Sequence, residues 1–230
     1  MKKVLVLLVL VAVASTAMAD MTPLNSQNKF FEPGIYNVLD RLYGKDNYTR
    51  VDDAFDNLWN YNNAEGIGSA QFEAKFSAVG AATFGFFSGT ESMKFNPLFS
   101  VAGFGYANPY KPITAVLDSD KTEDPFRFGV FFGFGRLGNL YSSDAEQNFF
   151  DLDHMVTFQI TKGKDAGAYV LAWEDGRCLG DRDYQDLVIQ VNGVTSNGPP
   201  SVIVVPAPAA VALGSLGLGL VGWLRRGRVL

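Results

Sequence analysis

Alternation of apolar and polar residues is the feature that most limits the folds open to this 230-residue chain. Every second residue from Phe126 to Phe134 is Phe or Val, and Val156, Phe158 and Ile160 repeat the spacing. Successive side chains of a strand point to opposite faces of a sheet, so this spacing predicts strands with one buried face. Clusters of Gly, Pro, Asn and Asp separate the stretches, as turns require.

Three further stretches alternate in the same way, at Phe72–Ala78 and within residues 168–174 and 186–192. Several short strands with turn signals between them predict an antiparallel β-sandwich or jelly-roll-like domain. We assign this mainly β domain to residues 20–192, because a polar, turn-rich segment begins at Asn192.

One or two helices are expected before the strands, from two stretches with helical spacing. Ile35, Val38, Leu39 and Leu42 have helical spacing, and Gly44 would end that helix. A second apolar face follows Thr49, a potential N-cap, and consists of Val51, Ala54, Phe55 and Leu58. Both helices are expected to pack on the core.

The N-terminus has the layout of a secretory signal peptide. Lys2 and Lys3 precede an apolar run from Val4 to Ala14. Ala17 and Ala19 are the small residues that signal peptidase accepts before its cleavage point. We therefore expect residues 1–19 to be removed after Ala19 during export.

The C-terminus has the layout of a membrane anchor. Residues 209–224 are apolar or small, and Arg225 and Arg226 follow them. As a helix this run would span about 24 Å, somewhat less than the ~30 Å hydrocarbon core. We expect a transmembrane helix in the inner membrane with its arginines in the cytoplasm and the preceding domain outside. Residues 193–204 would be the linker.

Val205, Pro206, Ala207 and Pro208, followed by the apolar run and the arginine pair, resemble a PEP-CTERM sorting signal. Ala207 stands where the commonest form of the motif has Glu. The resemblance implies that residues 205–230 are recognised by an exosortase-like membrane protease and removed. It further implies delivery to the cell surface or the extracellular matrix.

Composition excludes several classes of function. Five of the 19 basic residues lie in the two end segments, so 14 remain in the rest of the chain against 24 acidic residues. Such a body should repel nucleic acid. Cys178 is the sole cysteine and His154 the sole histidine, which excludes an intramolecular disulfide, a cysteine-based zinc site and any site with two imidazoles.

A dense acidic loop is the candidate metal site. Its five carboxylates are Glu174, Asp175, Asp181, Asp183 and Asp186. They would repel one another if unpaired, and Ca²⁺ accepts six to eight oxygen ligands from irregular loops. We therefore expect these five to bind Ca²⁺. The alternative is a solvated loop in which Arg177 and Arg182 pair with the acids.

Three segments carry a second resemblance: Asp153-His154, Trp173-Glu174-Asp175, and Gly180-Asp181-Arg182-Asp183-Tyr184-Gln185-Asp186-Leu187-Val188. Residues 151–192 thereby resemble an uncharacterised bacterial domain of unknown function that often occurs in exported and PEP-CTERM proteins. The resemblance implies a β-rich exported domain with a metal-binding acidic loop. Gln185 replaces the usual Asn, and its longer stem counts against a ligand role.

No motif indicates catalysis. Asp153 could orient His154 as a general base, but no partner nucleophile is evident, and a hydrogen-bonded structural histidine is the alternative. We expect a non-enzymatic, calcium-stabilised protein with a structural or adhesive role in the envelope, matrix or biofilm. Two alternatives stay open: a carbohydrate-binding module for surface polysaccharide, and a secreted polysaccharide hydrolase.

Overall fold

The computed structural model describes residues 21–25, 32–134 and 137–197, and all of them fall within one compact unit, Met1–Gly198. This part of the chain is mainly β with antiparallel sheets, as the sequence predicts, and it contains one α-helix. The expected signal peptide and sorting tail lie outside the described residues. Within the described ranges no helix is long and apolar enough to cross a membrane.

Thirteen strands are described, numbered β1 to β13 in chain order. They are Tyr48–Arg50, Trp59–Tyr61, Ile67–Lys75, Ala81–Phe87, Phe95–Ala102, Gly105–Tyr106, Thr114–Asp118, Arg127–Phe134, Leu137–Ser142, Met155–Ile160, Tyr169–Trp173, Leu187–Asn192 and Val194–Ser196. The single α-helix of the described residues, α1, spans Ile35–Tyr43.

The strands form a large sheet, a small sheet and a two-stranded ribbon, all antiparallel. The large sheet has the order β1-β10-β11-β12-β3-β6, and β7 also pairs with β3. The small sheet has the order β5-β4-β8-β9, and β13 pairs with β2 in the ribbon. The strands β11 and β12 are therefore central, with a partner on each side.

One hydrophobic core joins the two sheets. Trp59, Phe84, Phe128, Leu171 and Ile189 come from five different strands and are all fully buried in it. The ring of Trp59 meets that of Phe128 edge-on, with centroids 5.3 Å apart. The large sheet and the small sheet therefore share one buried core.

A second core lies on the opposite face of the large sheet, beneath α1. Ile35, Val38 and Leu39 are fully buried there, and Val170 and Val188 of the large sheet join them. The expected first helix is thus confirmed. It ends as predicted at Gly44, whose φ of 88° suits glycine and whose N–H donates to Asp40 O at 3.0 Å.

The expectation of one buried face fails for the central strands. All five residues of β11 are buried, because the small sheet covers one face and α1 the other. Tyr169, Leu171 and Trp173 share the first core as their spacing predicted, whereas Val170 and Ala172 face the second.

The prediction of a second helix after Thr49 is wrong. Thr49 lies in β1, and only a 3₁₀ turn forms, at Asp53–Phe55. Two contacts explain this: Val51 N–H donates to Thr157 O of β10 at 2.9 Å, which keeps the chain extended, and Asp52 Oδ1 accepts from Ala54 N–H at 3.1 Å. A side chain that bonds its own following backbone favours a tight turn over a helix.

The folded part also extends beyond the boundary expected at residue 192. Val194–Ser196 forms β13, which pairs with β2, and Val194 is buried in the first core. Residues 194–196 therefore belong to the fold and not to a linker.

A buried carboxylate in β3 makes stability depend on pH. Glu73 is 9% exposed, and its Oε1 accepts from Gln71 Nε2 at 2.8 Å. Burial raises its pKa from 4.5 to about 7, and the charge of Asp165 also raises it. The unfolded chain releases this proton near pH 4.5 and the folded chain only near pH 7, so the free energy of unfolding should fall as pH rises between these values.

We expect Glu73→Gln, which cannot ionise, to remove this contribution. The variant should match the wild type at about pH 4 and exceed it by at most about 3 kcal/mol at about pH 8. Urea unfolding in the presence of chelator measures the difference. Glu65→Gln, at an exposed position, is the control and should follow the wild type. A difference for Glu73→Gln that does not change with pH would contradict the argument.

Candidate functional site

The acidic loop connects the two central strands of the large sheet. In the antiparallel pair β11–β12, Trp173 is opposite Leu187, and the loop 174–186 closes that end. Both strands are buried on two faces, so the ends of the loop are held in a fixed position. The strand boundaries fall within one residue of those expected from sequence.

The first residues of the loop are held by His154, which directly precedes β10, and by Tyr141 of β9. Glu174 N–H donates to His154 O at 3.0 Å, and His154 Nδ1 lies 3.1 Å from Glu174 O. The ring of Tyr141 stacks on that of His154 with centroids 3.6 Å apart, and its hydroxyl donates to Asp175 O at 3.0 Å. Burial lowers the pKa of His154 to about 4. The histidine is thus neutral at pH 7 and buttresses the loop.

The loop backbone is strained. Leu179, Arg182 and Tyr184 have φ of 59°, 59° and 53°, which residues with a Cβ seldom adopt. Gly180 is needed for space, because a Cβ there would lie 2.6 Å from Glu174 Oε1. Strained backbone persists only where surrounding contacts enforce it, and it often marks functional sites.

The loop borders a cavity of about 310 Å³, called here the acidic cavity. Nine of the residues that the structure describes line it: Glu32, Ala78, Glu174, Asp175, Gly180, Asp181, Asp183, Gln185 and Asp186. Six of them are carboxylic acids and none is basic. The charge of Lys75 interacts with those of Asp186 and Asp175, and this lysine is buried and donates to Ser77 O at 3.0 Å.

The carboxylates form two groups that share one member. Glu174, Asp183 and Asp186 each bring a carboxylate oxygen within 4.8 Å of the others, and all three are buried. Glu32, Asp181 and Asp183 do the same at the outer side, where Glu32 and Asp181 are half-buried. Oxygens this close can occupy one coordination sphere of a hard cation.

Gln185 adds an acceptor with no donor. Its side chain is 1% exposed, and its Nε2 donates to Asp183 Oδ2 at 2.8 Å. Its Oε1 is buried and has no hydrogen-bond partner among the described residues. The same is true of Glu174 Oε2, on a side chain that is 1% exposed. A buried acceptor without a partner costs about 1–3 kcal/mol, so both oxygens are candidate ligands for a cation or a hydrogen-bond donor.

Proton affinity in the cavity reflects burial and crowding. Burial raises the pKa of Asp186 to about 9, and the charges of Asp175 and Glu174 add to the increase. Burial likewise raises the pKa of Glu174 to about 6, with Asp183 contributing repulsion. Crowded buried carboxylates take up protons when nothing else neutralises them.

The two arginines of the loop lie elsewhere. The guanidinium of Arg177 is 4.2 Å from the ring centroid of Phe149, a cation–π contact. Arg182 borders a different cavity, next to Asp151 and Asp153. Neither arginine lines the acidic cavity, so the alternative of an arginine-paired loop has no support from their positions.

The five predicted ligands are brought together to different extents. Glu174, Asp183 and Asp186 form the buried group, and Asp181 belongs to the outer one. Asp175 lines the cavity but is in neither group; its Oδ2 instead accepts from the Ser77 hydroxyl. The binding role of all five stays a prediction.

The sequence did not identify two of the candidate ligands. Gln185 was set aside for its longer stem, yet its amide oxygen is buried and lacks a donor. Glu32 precedes α1 and lies about 150 positions from the loop; no spacing in the sequence relates it to that loop. Only the tertiary fold brings the two together. Cys178 is an exposed free thiol.

The fold and this loop together define an antiparallel β domain with an acidic cavity at the end of its central strands. Residues 113–194, from the start of β7 to the first residue of β13, match the family model described as a domain of unknown function (DUF4114). No curated protein matches the chain.

The crowding of charge in the cavity predicts an unusual effect for Asp186→Asn. In chelator at about pH 8 the variant should be more stable than the wild type by about 1–3 kcal/mol, because it removes a carboxyl whose charged form burial disfavours. Asn keeps an oxygen that can accept from Asp175 N–H, as Asp186 Oδ2 does at 2.7 Å. Urea unfolding measures the change.

Asp120→Asn removes the same charge from an exposed loop and is the control, with an expected effect within about 0.5 kcal/mol. If Asp186→Asn instead lowers stability in chelator, then Lys75 already neutralises Asp186, and the cavity has no excess of negative charge at that position.

Proposed function

We propose that this protein is an exported structural or adhesive component of the cell surface or extracellular matrix, stabilised by calcium bound in the acidic cavity. An exosortase-like system sorts it through its C-terminal tail. The observation that carries the calcium part is the buried amide oxygen of Gln185. It lacks a donor and belongs to a cavity lined by six carboxylic acids.

The donor set favours calcium among metal ions. Every candidate ligand atom is an oxygen, from carboxylates and one amide, and His154 and Cys178 do not line the cavity. Hard cations prefer such oxygens, whereas zinc and copper sites use imidazole and thiolate. Magnesium requires near-ideal octahedral geometry, which suits an irregular loop with crowded carboxylates less well than the flexible sphere of calcium.

The export part rests on the two ends of the sequence. The leader has a basic start, an apolar run and an Ala-x-Ala end, in the required order. The tail likewise has a V-P-A-P motif, an apolar run and two arginines in order. The acidic excess of the body and an oxygen-only cation site are compatible with a compartment where calcium is plentiful. A structural role, and not catalysis, is favoured by the buried, neutral state of His154.

Calcium should raise the thermal unfolding midpoint of the purified full chain. Extracellular modules commonly bind with dissociation constants of about 10⁻⁴ M or weaker. Calcium at roughly 100 times that constant should add about 2.7 kcal/mol, which moves the midpoint by about 5–10 °C. Asp183→Asn should lose this shift, since Asp183 belongs to both carboxylate groups.

Asp120→Asn, at an exposed site, is the matched control and should keep the full shift. Magnesium at equal concentration should give a smaller one. If calcium, magnesium and manganese all leave the wild-type midpoint unchanged, the cavity is not a metal site and the calcium part of the proposal fails.

Fractionation of the native cells tests the sorting part. The wild-type protein should reach the surface or the medium with a mass that lacks both the leader and the tail. Replacing Pro206 and Pro208 by Ala should leave the protein in the inner membrane with its tail attached. Changing Pro199 and Pro200 to Ala alters the same residue type outside the motif and should leave sorting unaffected. A wild-type protein that stays in the cytoplasm would overturn the export proposal.

A further inference from the structure

We infer that β9 pairs edge to edge with β9 of a second copy of this chain, in antiparallel orientation about a twofold axis at Asn139. The small sheets of the two molecules thereby form one continuous sheet. The inference goes beyond the proposed function, since it needs neither a bound cation nor the sorting tail. It gives a structural or adhesive protein a defined contact between its copies.

The strand β9 is an unprotected edge of the small sheet. Its residues from Leu137 to Leu140 are all exposed, and β9 contains no charged residue and no proline. The strand at the opposite edge, β5, contains Pro97 and has an irregular register with β4. Charges, prolines and bulges are the devices by which natural sheets keep their edges from pairing, and β9 has none of them.

The pairing with β8 determines which backbone groups of β9 point outward. Ser143 N–H donates to Phe128 O at 2.9 Å, just beyond the last paired residue of β9. Residues of an antiparallel strand alternate between facing this partner and facing away from it. Ser142, Leu140 and Gly138 therefore direct their N–H and C=O groups away from β8.

A side chain of the protein already bonds to this edge at Ser142. Ser142 N–H donates to Asn148 Oδ1 at 2.8 Å, and Asn148 Nδ2 donates to Ser142 O at 2.9 Å. The carboxamide thus takes the place of a peptide group of a neighbouring strand. The outward groups of Gly138 and Leu140 have no hydrogen-bond partner in the part of the chain that the structure describes. The open edge is therefore the stretch from Gly138 to Leu140.

The open edge is complementary to itself. With Asn139 of both molecules on the axis, Gly138 of each lies opposite Leu140 of the other, and each such pair can exchange both of its backbone hydrogen bonds. A register centred on Leu140 would instead place Gly138 opposite Ser142, whose N–H and C=O are already bonded to Asn148. Asn148 therefore favours the register centred on Asn139, in which the open groups satisfy one another.

Charge favours a second copy as the partner at this edge. Outside the two end segments the chain has 24 acidic and 14 basic residues, so most surfaces of two copies repel each other. Two molecules can approach through β9 because it is uncharged, and for the same reason it offers nothing to attract a charged partner. Leu137, Leu140 and the adjacent Phe134 are 84%, 43% and 65% exposed, and the pairing removes part of this apolar surface from water.

Two opposite substitutions at the axis test the pairing. Asn139→Asp and Asn139→Lys each bring two like charges together, at a Cα separation of about 4.5 Å. Sedimentation velocity of the purified full chain in chelator, over a dilution series, should show a reversible dimer for the wild type. Each variant alone should weaken the dimer by roughly tenfold or more. An equal mixture of the two variants places opposite charges at the axis and should restore the dimer.

Asn108→Asp is the matched control. Asn108 is exposed and lies outside β9, and aspartate keeps the oxygen that accepts from Tyr110 N–H at 2.9 Å. This variant should dimerise like the wild type.

Hydrogen exchange tests the inference without any substitution. The amides of Gly138 and Leu140 should exchange at least about tenfold more slowly where the wild type is dimeric than where it is dilute. The Asn139 amide, which faces β8, should change much less. A wild type that stays monomeric over the dilution series overturns the inference. So does a dimer that both Asn139 variants keep, because its interface then lies outside β9. Since chelator is present throughout, either outcome leaves the proposed calcium binding intact.

Discussion

The burial of β11 and β12 on both faces is the constraint on which the rest of the structure depends. The small sheet and α1 enclose these strands from opposite sides, so neither strand can shift its register without moving a hydrophobic set out of its core. Trp173 and Leu187 are consequently fixed as a pair, and the loop between them starts and ends at defined points. The carboxylates of this loop are thereby held close together in spite of their like charge.

The acidic cavity contains buried like charges, and their repulsion opposes the stability that the central strands provide. Crowding and burial raise the pKa of Asp186 to about 9, and three nearby residues have left-handed backbone. Nothing in the hydrophobic packing requires carboxylates at these positions. Natural proteins break local rules of this kind chiefly where a site has a function. Under the proposed function, the local conflict and the orphaned Gln185 oxygen have one cause, a site that a bound cation completes.

The sequence predicted those parts of the fold whose cause is local. Period-two spacing identified the strands β8, β10, β11 and β12, and helical spacing before Gly44 identified α1. The sequence pattern failed where tertiary contacts determine the structure. The backbone of Val51 is hydrogen-bonded to β10, so the predicted second helix does not form. In addition, α1 buries a face of the large sheet that was expected to be exposed. The candidate site divides in the same way. The loop acids lie close in sequence, whereas Glu32 joins them only through the fold.

Protonation of the carboxylates is the main alternative to metal binding in the acidic cavity, and Gln185 distinguishes the two. Proton uptake can neutralise Asp186 and Glu174, and their raised pKa values show that burial favours it. Proton uptake leaves Gln185 Oε1 without a hydrogen-bond donor unless a protonated carboxyl group donates to it. A cation in the cavity can coordinate all these oxygens at once. A weak site of the extracellular class would stay empty where calcium is scarce and fill after export. Under the proposed function, the fold would then become complete only in the compartment where the protein acts.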